Sequence, residues 1–179
     1  KMGKKITIDS ATMMNKVFEI IEAKKIFNFD YKKLSILVHP KSYVHAIVKF
    51  SNGLTKMLIH DTNMIIPIFN SLYPNYKKKI KSNKLNLSIM NNLDFKELDK
   101  IKFPVAKILN LLPNNDSLFE TVIVSANDIL VKKFLNKEIK FLDISKLMLK
   151  IINNKEFLKF KKITPKNIDQ ITYLSHYVS

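Results

Sequence analysis

The chain opens on two different spacings of apolar residues. Ile6-Thr7-Ile8 alternates as a short strand does. Residues 12–27 then run without Gly or Pro, with Met13, Val17, Ile20, Ile21 and Phe27 available for packing. Asp9-Ser10 between them has helix N-cap chemistry. The pattern predicts a strand feeding straight into a helix N-terminus. Further on, residues 33–40 read as a strand stopped at His39-Pro40, because proline biases the residue before it away from helix. Residues 43–50 and 54–59 read as strands joined through Ser51-Asn52-Gly53, where Asn-Gly accepts the positive φ of a tight turn. A loop at 61–67 leads to a short helix at 67–73.

Beyond Tyr73 the spacing is lost. Lys77-Lys78-Lys79-Ile80-Lys81-Ser82-Asn83-Lys84 is a block of like charge without an acidic partner, the signature of a solvated connector. Leu85, Leu87 and Ile89 then alternate as an extended segment. From residue 101 the pattern is helical only. Phe103-Pro104 places proline in a first turn followed by Val105, Ile108, Leu109 and Leu112, and Pro113-Asn114-Asn115-Asp116 closes that helix. Residues 118–135 hold one or two helices, Asp143 caps another reaching 152, and Thr164-Pro165 opens a last one reaching about Tyr177. The fold class expected is α/β (α+β). A small mixed sheet with packed helices over 1–73 is followed by a linker over 74–100 and an all-α, four-helix-type domain over 101–179.

Charge adds less than its size suggests. The 31 basic residues outnumber 15 acidic ones, for a net charge of +16, and every basic residue is Lys. Arg, the favoured residue for bidentate contacts to bases and phosphates, is absent, so no nucleic-acid partner is expected and the lysine excess reads as coding bias. No Cys is present, which excludes disulfides and thiolate metal sites. No apolar run approaches the roughly 18 residues of a membrane helix, and no membrane partner is expected. With two glycines, Gly3 and Gly53, a Gly-rich dinucleotide loop cannot be built from this chain.

One segment concentrates chemistry. In a helix, Asn15 and Glu19 are four apart and Lys16 and Glu19 three apart, so the three share a face. With Ser10 at the expected cap, backbone N–H groups, hydroxyl, amide and ammonium would converge on an anion, with a carboxylate one turn further on. That suits a phosphorylated substrate together with a metal. The same spacing also describes a solvated face carrying an ion pair worth at most about 0.5 kcal/mol. His39 and His45, six apart, fit neither a helical nor a strand metal pair and read as structural.

The string Asp9-Ser10-Ala11-Thr12-Met13-Met14-Asn15-Lys16, with Glu19 following, resembles the substrate segment of the 1-deoxy-D-xylulose 5-phosphate reductoisomerase family. The resemblance continues at Ile21-Glu22-Ala23, at Leu37-Val38-His39-Pro40 with Ser42 and His45, and at Met64 with Pro67-Ile68. It returns at Ser125-Ala126-Asn127-Asp128, similar to an Asn-Ala-Ala-Asn-Glu stretch of the family. The family's Gly-x-Pro-Asp-Met-Arg loop is altered, with His60, Thr62, Asn63 and Ile65 replacing Gly, Pro, Asp and Arg.

The resemblance implies an NADPH-dependent enzyme that uses Mg2+ or Mn2+ to turn 1-deoxy-D-xylulose 5-phosphate into 2-C-methyl-D-erythritol 4-phosphate for non-mevalonate isoprenoid synthesis. Ser10, Asn15, Lys16 and Glu19 would bind the substrate, Lys16 and Glu19 as the catalytic pair. Glu19 would be a metal ligand with Glu22 behind it, and Gly3 and Met64 would meet the cofactor. His45 would fall near the substrate pocket, while Asn127 and Asp128 would fix helix contacts. A family member works as a homodimer. It also carries, ahead of this segment, a Rossmann-type NADPH domain and an Asp-x-Glu metal motif, so this chain is expected to be the C-terminal part of a longer enzyme and inactive alone. A plastid-type organelle (apicoplast) is the expected location, with bacterial cytoplasm as the alternative. Two rival classes are a lysine-rich nucleic-acid-binding module and a helical interaction protein without chemistry.

Overall fold

The computed structural model describes residues 3–74 and 79–178. Of the lysine block, Lys77 and Lys78 lie outside the described residues. The described chain contains helices α1 (Lys4–Thr12), α2 (Met14–Phe27), α3 (Ile65–Leu72), α4 (Leu87–Asn91), α5 (Phe119–Leu135), α6 (Phe141–Ile152), α7 (Lys155–Leu158) and α8 (Ile168–Val178). Its strands are β1 (Leu37–Val38), β2 (Val44–Lys49), β3 (Thr55–Ile59) and β4 (Lys96–Glu97). Turns of 3-10 helix occupy Tyr31–Lys33, Pro104–Leu111 and Lys159–Lys162.

Two compact units result. One joins Lys1–Ile36 to Leu98–Ser179, and the other is Leu37–Glu97. The units are thus drawn elsewhere than at 73 and 100, because α1 and α2 pack with the C-terminal helices: α1 against α5, and α2 against the Pro104–Leu111 turn. Their shared core includes Ile8, Met14, Val17, Ile21, Val105, Ile108, Phe119, Ile123, Ile144, Met148 and Ile152. Met14, Val17 and Phe119 are completely buried, each such side chain contributing roughly 1.5–3 kcal/mol by leaving water. Helix α5 is a single helix with a buried face from Phe119 to Val131.

The second unit holds two antiparallel two-stranded ladders, β1 with β4 and β2 with β3. The β2–β3 hairpin turns through Gly53 at φ +88°, with the Leu54 N–H donating to Asn52 Oδ1 at 3.1 Å. Tyr43 is buried, and its hydroxyl accepts from the Asn86 N–H at 3.2 Å.

Several sequence expectations are corrected. Residues 6–8 are helical, as part of α1, and supply no strand. The expected strand at 33–40 shrinks to Leu37–Val38, since Asp30 Oδ1 accepts from the Lys32 N–H at 2.8 Å and caps a 3-10 turn instead. The connector expected over 74–100 contains structure. Asn86 Oδ1 accepts from the Ile89 N–H at 3.0 Å, which starts α4 where an extended segment was expected, and Lys96–Glu97 pairs with β1. The Pro104 segment is a 3-10 helix. Asp143 caps α6 from inside its first turn, accepting from the Lys140 N–H at 3.0 Å. The last helix begins at Ile168, beyond Thr164-Pro165, because Asn167 Oδ1 takes the Gln170 N–H at 2.9 Å and makes the cap.

Candidate substrate-binding turn

Helix α1 has an unpromising local sequence, KKITIDSAT, rich in β-branched residues that favour strands. It is helical because only one of its isoleucines enters the core: Ile8 is 8% exposed and Ile6 is 51%. Two apolar residues two apart fit a strand face, but here a helix points one inward and one outward. Ser10 is therefore not a helix cap. Its hydroxyl donates to the Ile6 carbonyl at 2.8 Å, within the last turn of α1. Asp9 is not a cap either. It is buried, and both its carboxylate oxygens are engaged: Oδ1 accepts from Asn127 Nδ2 of α5 at 2.8 Å, and Oδ2 from Lys5 Nζ at 2.8 Å. Lys5 reaches Asp128 as well, at 3.1 Å. Burial works to lower the Lys5 pKa, but the hydrogen bonds and charges of Asp9 and Asp128 outweigh it and raise it.

Met13 then adopts the left-handed conformation, φ 68° and ψ 13°, and separates α1 from α2. A side chain there costs roughly 1–2 kcal/mol, so the turn has to be held by its surroundings. Thr12, also buried, helps: its hydroxyl lies 3.0 Å from the Ile8 carbonyl and 3.4 Å from the Met14 N–H. The helix N-terminus at this place is consequently that of α2, which begins at Met14 and places Asn15 and Lys16 in its first turn; the Met14 N–H meets the Thr12 hydroxyl and the Lys16 N–H the Met13 carbonyl at 3.2 Å.

Met14, Val17, Ile20 and Ile21 hold α2 to the core. On the outer side, Lys16 Nζ lies 2.8 Å from Glu19 Oε2, with both side chains about half exposed at 42% and 53%. Asn15 Oδ1 is buried without a hydrogen-bond partner, an acceptor not satisfied by the chain itself. The structure thus brings Asn15, Lys16 and Glu19 to one turn of one helix, with Ser10 a turn earlier in α1. Glu22 is exposed on the next turn.

A Cβ added at Gly3 would meet nothing within 4 Å, so no packing inside the chain demands glycine there. Met64 belongs to the other compact unit, immediately before α3, and is 68% exposed. His39 Nδ1 lies 3.3 Å from the Asp94 carbonyl, and its ring leans on Phe95 at 5.1 Å. His45 stacks flat on His60, centroids 3.6 Å apart, with its Nε2 3.2 Å from the His60 carbonyl. Glu19 is one hard oxygen donor of the kind divalent cations take. Among the described residues no group of three or more His, Asp or Glu side chains could hold a metal ion. The acidic residue that sequence reading misjudged is Asp9: its role depends on Asn127, 118 positions away, and no local signal marks that pairing.

Comparison with known proteins identifies the family. A family model described as the DXP reductoisomerase C-terminal domain matches residues 60–178, and one described as the 1-deoxy-D-xylulose 5-phosphate reductoisomerase C-terminal domain matches residues 1–27. The 1-deoxy-D-xylulose 5-phosphate reductoisomerase of Pelagibacter ubique is 68% identical over 99% of this chain and 46% of its own length. That of Anaplasma phagocytophilum is 34% identical over 91% of this chain and 43% of its own. A solved reductoisomerase from Zymomonas mobilis in complex with NADPH superposes with a TM-score of 0.82 at 30% identity, over 97% of this chain and 45% of that one. Another, in complex with NADPH, fosmidomycin and magnesium, gives a TM-score of 0.85 at 29% identity, over 99% of this chain and 45% of that one. The chain spans about half the length of the curated relatives it matches. These relatives are bacterial, so the plastid-type location expected from coding bias finds no support. The chain belongs to the 1-deoxy-D-xylulose 5-phosphate reductoisomerase family, whose C-terminal domains it carries.

Proposed function

We propose that this chain supplies the substrate-gripping and helical parts of a reductoisomerase that converts 1-deoxy-D-xylulose 5-phosphate to 2-C-methyl-D-erythritol 4-phosphate with NADPH, in the isoprenoid pathway of a bacterial cytoplasm. The observation that carries this reading is the start of α2, where Asn15 and Lys16 stand in the first turn beside the helix N-terminus and the Glu19 carboxylate, in the second, meets the Lys16 ammonium. Lys16 and the helix end favour an anionic phosphate. The Asn15 amide nitrogen offers a donor to a substrate oxygen, and Ser10 adds a hydroxyl one turn earlier.

Glu19 is the ligand this chain offers to a divalent ion, Mg2+ or Mn2+, with Glu22 next to it on the helix. The remaining ligands would come from an Asp-x-Glu in the dinucleotide-binding half that completes the enzyme. Bound there, the ion would stabilise negative charge on the substrate oxygens during rearrangement. Gly3, with open space where a side chain would stand, and the exposed thioether of Met64 are the groups assigned to the cofactor.

The enzyme works as a homodimer in this reading. Support comes from the β2–β3 hairpin, where Ile47, Val48, Met57 and Leu58 stay 36–59% exposed and a two-stranded sheet is marginal without cover. Light scattering of the full-length enzyme measures this directly, and a monomer at assay concentration would refute it.

The activity is tested with the full-length enzyme given 1-deoxy-D-xylulose 5-phosphate, NADPH and Mg2+. NADPH oxidation with formation of 2-C-methyl-D-erythritol 4-phosphate, identified by mass spectrometry, is expected. The 179-residue chain purified without its dinucleotide-binding half should show none. Turnover by the chain alone, or no product from the full-length enzyme, overturns the reading.

A further inference from the structure

Asp9 is 3% exposed and Asn127 is not exposed at all, yet both are polar. Burying a carboxylate and an amide in a core is unfavourable unless they are paired, and these two are paired with each other across helices at 2.8 Å. Asn127 also leaves its own Oδ1 buried without a partner. An apolar residue of similar size would avoid that penalty, so the amide is better accounted for by the direction its bond imposes than by stability.

Three features show what that direction sets. Lys5 closes the second oxygen of Asp9 and also reaches Asp128, tying α1 to two successive residues of α5. One helical turn after Asp9 comes the left-handed Met13, a conformation that methionine does not hold unaided. Asn15 and Lys16 follow two and three residues later. A small rotation of α1 would pass through Met13 into the first turn of α2 and re-aim both side chains.

Resting on the function proposed above, we infer that Asp9 and Asn127 are a positioning pair that fixes the orientation of the Asn15–Lys16–Glu19 turn. Neither touches the substrate; each acts through the other and through the Met13 turn.

The test compares Asp9→Asn, Asn127→Asp and the reciprocal double variant in the full-length enzyme. KM for 1-deoxy-D-xylulose 5-phosphate, the Mg2+ concentration for half-maximal rate, kcat and Tm are measured. Asn127→Asp, which sets two carboxylates against each other, should raise KM and the Mg2+ requirement by about tenfold, the scale seen when the support of a binding residue is lost, with a smaller fall in kcat; Asp9→Asn, whose amide oxygen can still accept from Asn127, should do so less. The double variant again sets one carboxylate against one amide and should return both quantities to within about threefold of the parent. A brace without a positioning role predicts a lower Tm with unchanged KM and Mg2+ requirement, and that result overturns the inference. Should Asn127→Asp not fold, Asn127→Leu, which keeps the volume and removes the donor to Asp9, takes its place with the same expected rise in KM. Lys16→Ala and Glu19→Gln run alongside. If they are impaired while the Asn127 variant changes only Tm, the pair's role falls and the proposed site stands. If Lys16→Ala and Glu19→Gln are themselves unimpaired, both fall.

Discussion

Lys16 Nζ stands 2.8 Å from Glu19 Oε2 and 3.0 Å from Oε1, so the two charges of the candidate site on α2 neutralise each other in this structure. Half-exposed pairs of this kind contribute only about 0.2–1 kcal/mol, too little to account for their placement by stability and little enough for a ligand to displace. If Lys16 holds the phosphate, as proposed, the charge-assisted contact would contribute about 1.5–3 kcal/mol in ground and transition states alike. Lys16→Ala is expected to raise KM more than it lowers kcat, as steady-state kinetics of the full-length enzyme would show. An effect confined to kcat would remove Lys16 from phosphate binding.

A second expectation concerns Tyr31. Its hydroxyl is buried without a hydrogen-bond partner, and burial, assisted by the carboxylates of Glu120 and Asp116, pushes its pKa well up. In the unfolded chain the phenol ionises near pH 10. Above that pH the unfolded state releases a proton that the folded state keeps, so stability falls as pH rises. Lys25 acts in the same direction. Burial works against its charge, but Asp116 and Glu120 outweigh that and raise its pKa. Tyr31→Phe should flatten the alkaline loss of stability and, at pH 7, leave stability unchanged or raise it by up to about 1 kcal/mol. Thermal melts at pH 7 and above pH 10 check both; a clear loss at pH 7 would mean the hydroxyl has a partner.

The β2–β3 turn gives a third. Gly53 sits at φ +88° with nothing within 4 Å of where a Cβ would stand, so its requirement for glycine is conformational only. Gly53→Ala should destabilise by about 1 kcal/mol through backbone strain. Denaturant unfolding measures it. Because no atom is displaced, Gly53→Asn, which tolerates positive φ better, should recover part of the loss.

These positions also show what could be read from sequence and what could not. The hairpin was legible because Asn52-Gly53 states its turn locally, and α2 was legible because Val17, Ile20 and Ile21 recur at helical spacing, although Met14 is the buried residue where Met13 was expected and Phe27 is 63% exposed. Lys16 and Glu19 fall on one face by spacing alone. Helix α1 was not legible: Ile6-Thr7-Ile8 is good strand sequence, and what makes it helical is tertiary, the burial of Ile8 and the bond from Asp9 to Asn127. Reading Asp9-Ser10 as a cap followed from the strand assignment, and both failed together. The β1–β4 ladder is two residues long on each side, which is too short for any periodicity and is decided by its partner.

The last expectation separates Glu19 from Lys16 by the step each serves. If Glu19 is only the ion-pair partner of Lys16, replacing it with Gln removes a half-exposed salt bridge of small value and leaves turnover near that of the parent. If it is a metal ligand, the loss falls on the charge that develops as the carbon skeleton rearranges, and therefore mainly on kcat. Glu19→Gln keeps the shape and removes the anion, so it should also raise the metal concentration needed for half-maximal rate. The measurement is a titration of the full-length variant with Mg2+ and, separately, Mn2+, with folding checked by circular dichroism. Lys16→Ala is the control: it frees Glu19 from its ammonium neighbour and should leave the metal requirement equal to the parent's or lower. Parent-like metal dependence and turnover in Glu19→Gln would reduce Glu19 to a surface charge on α2.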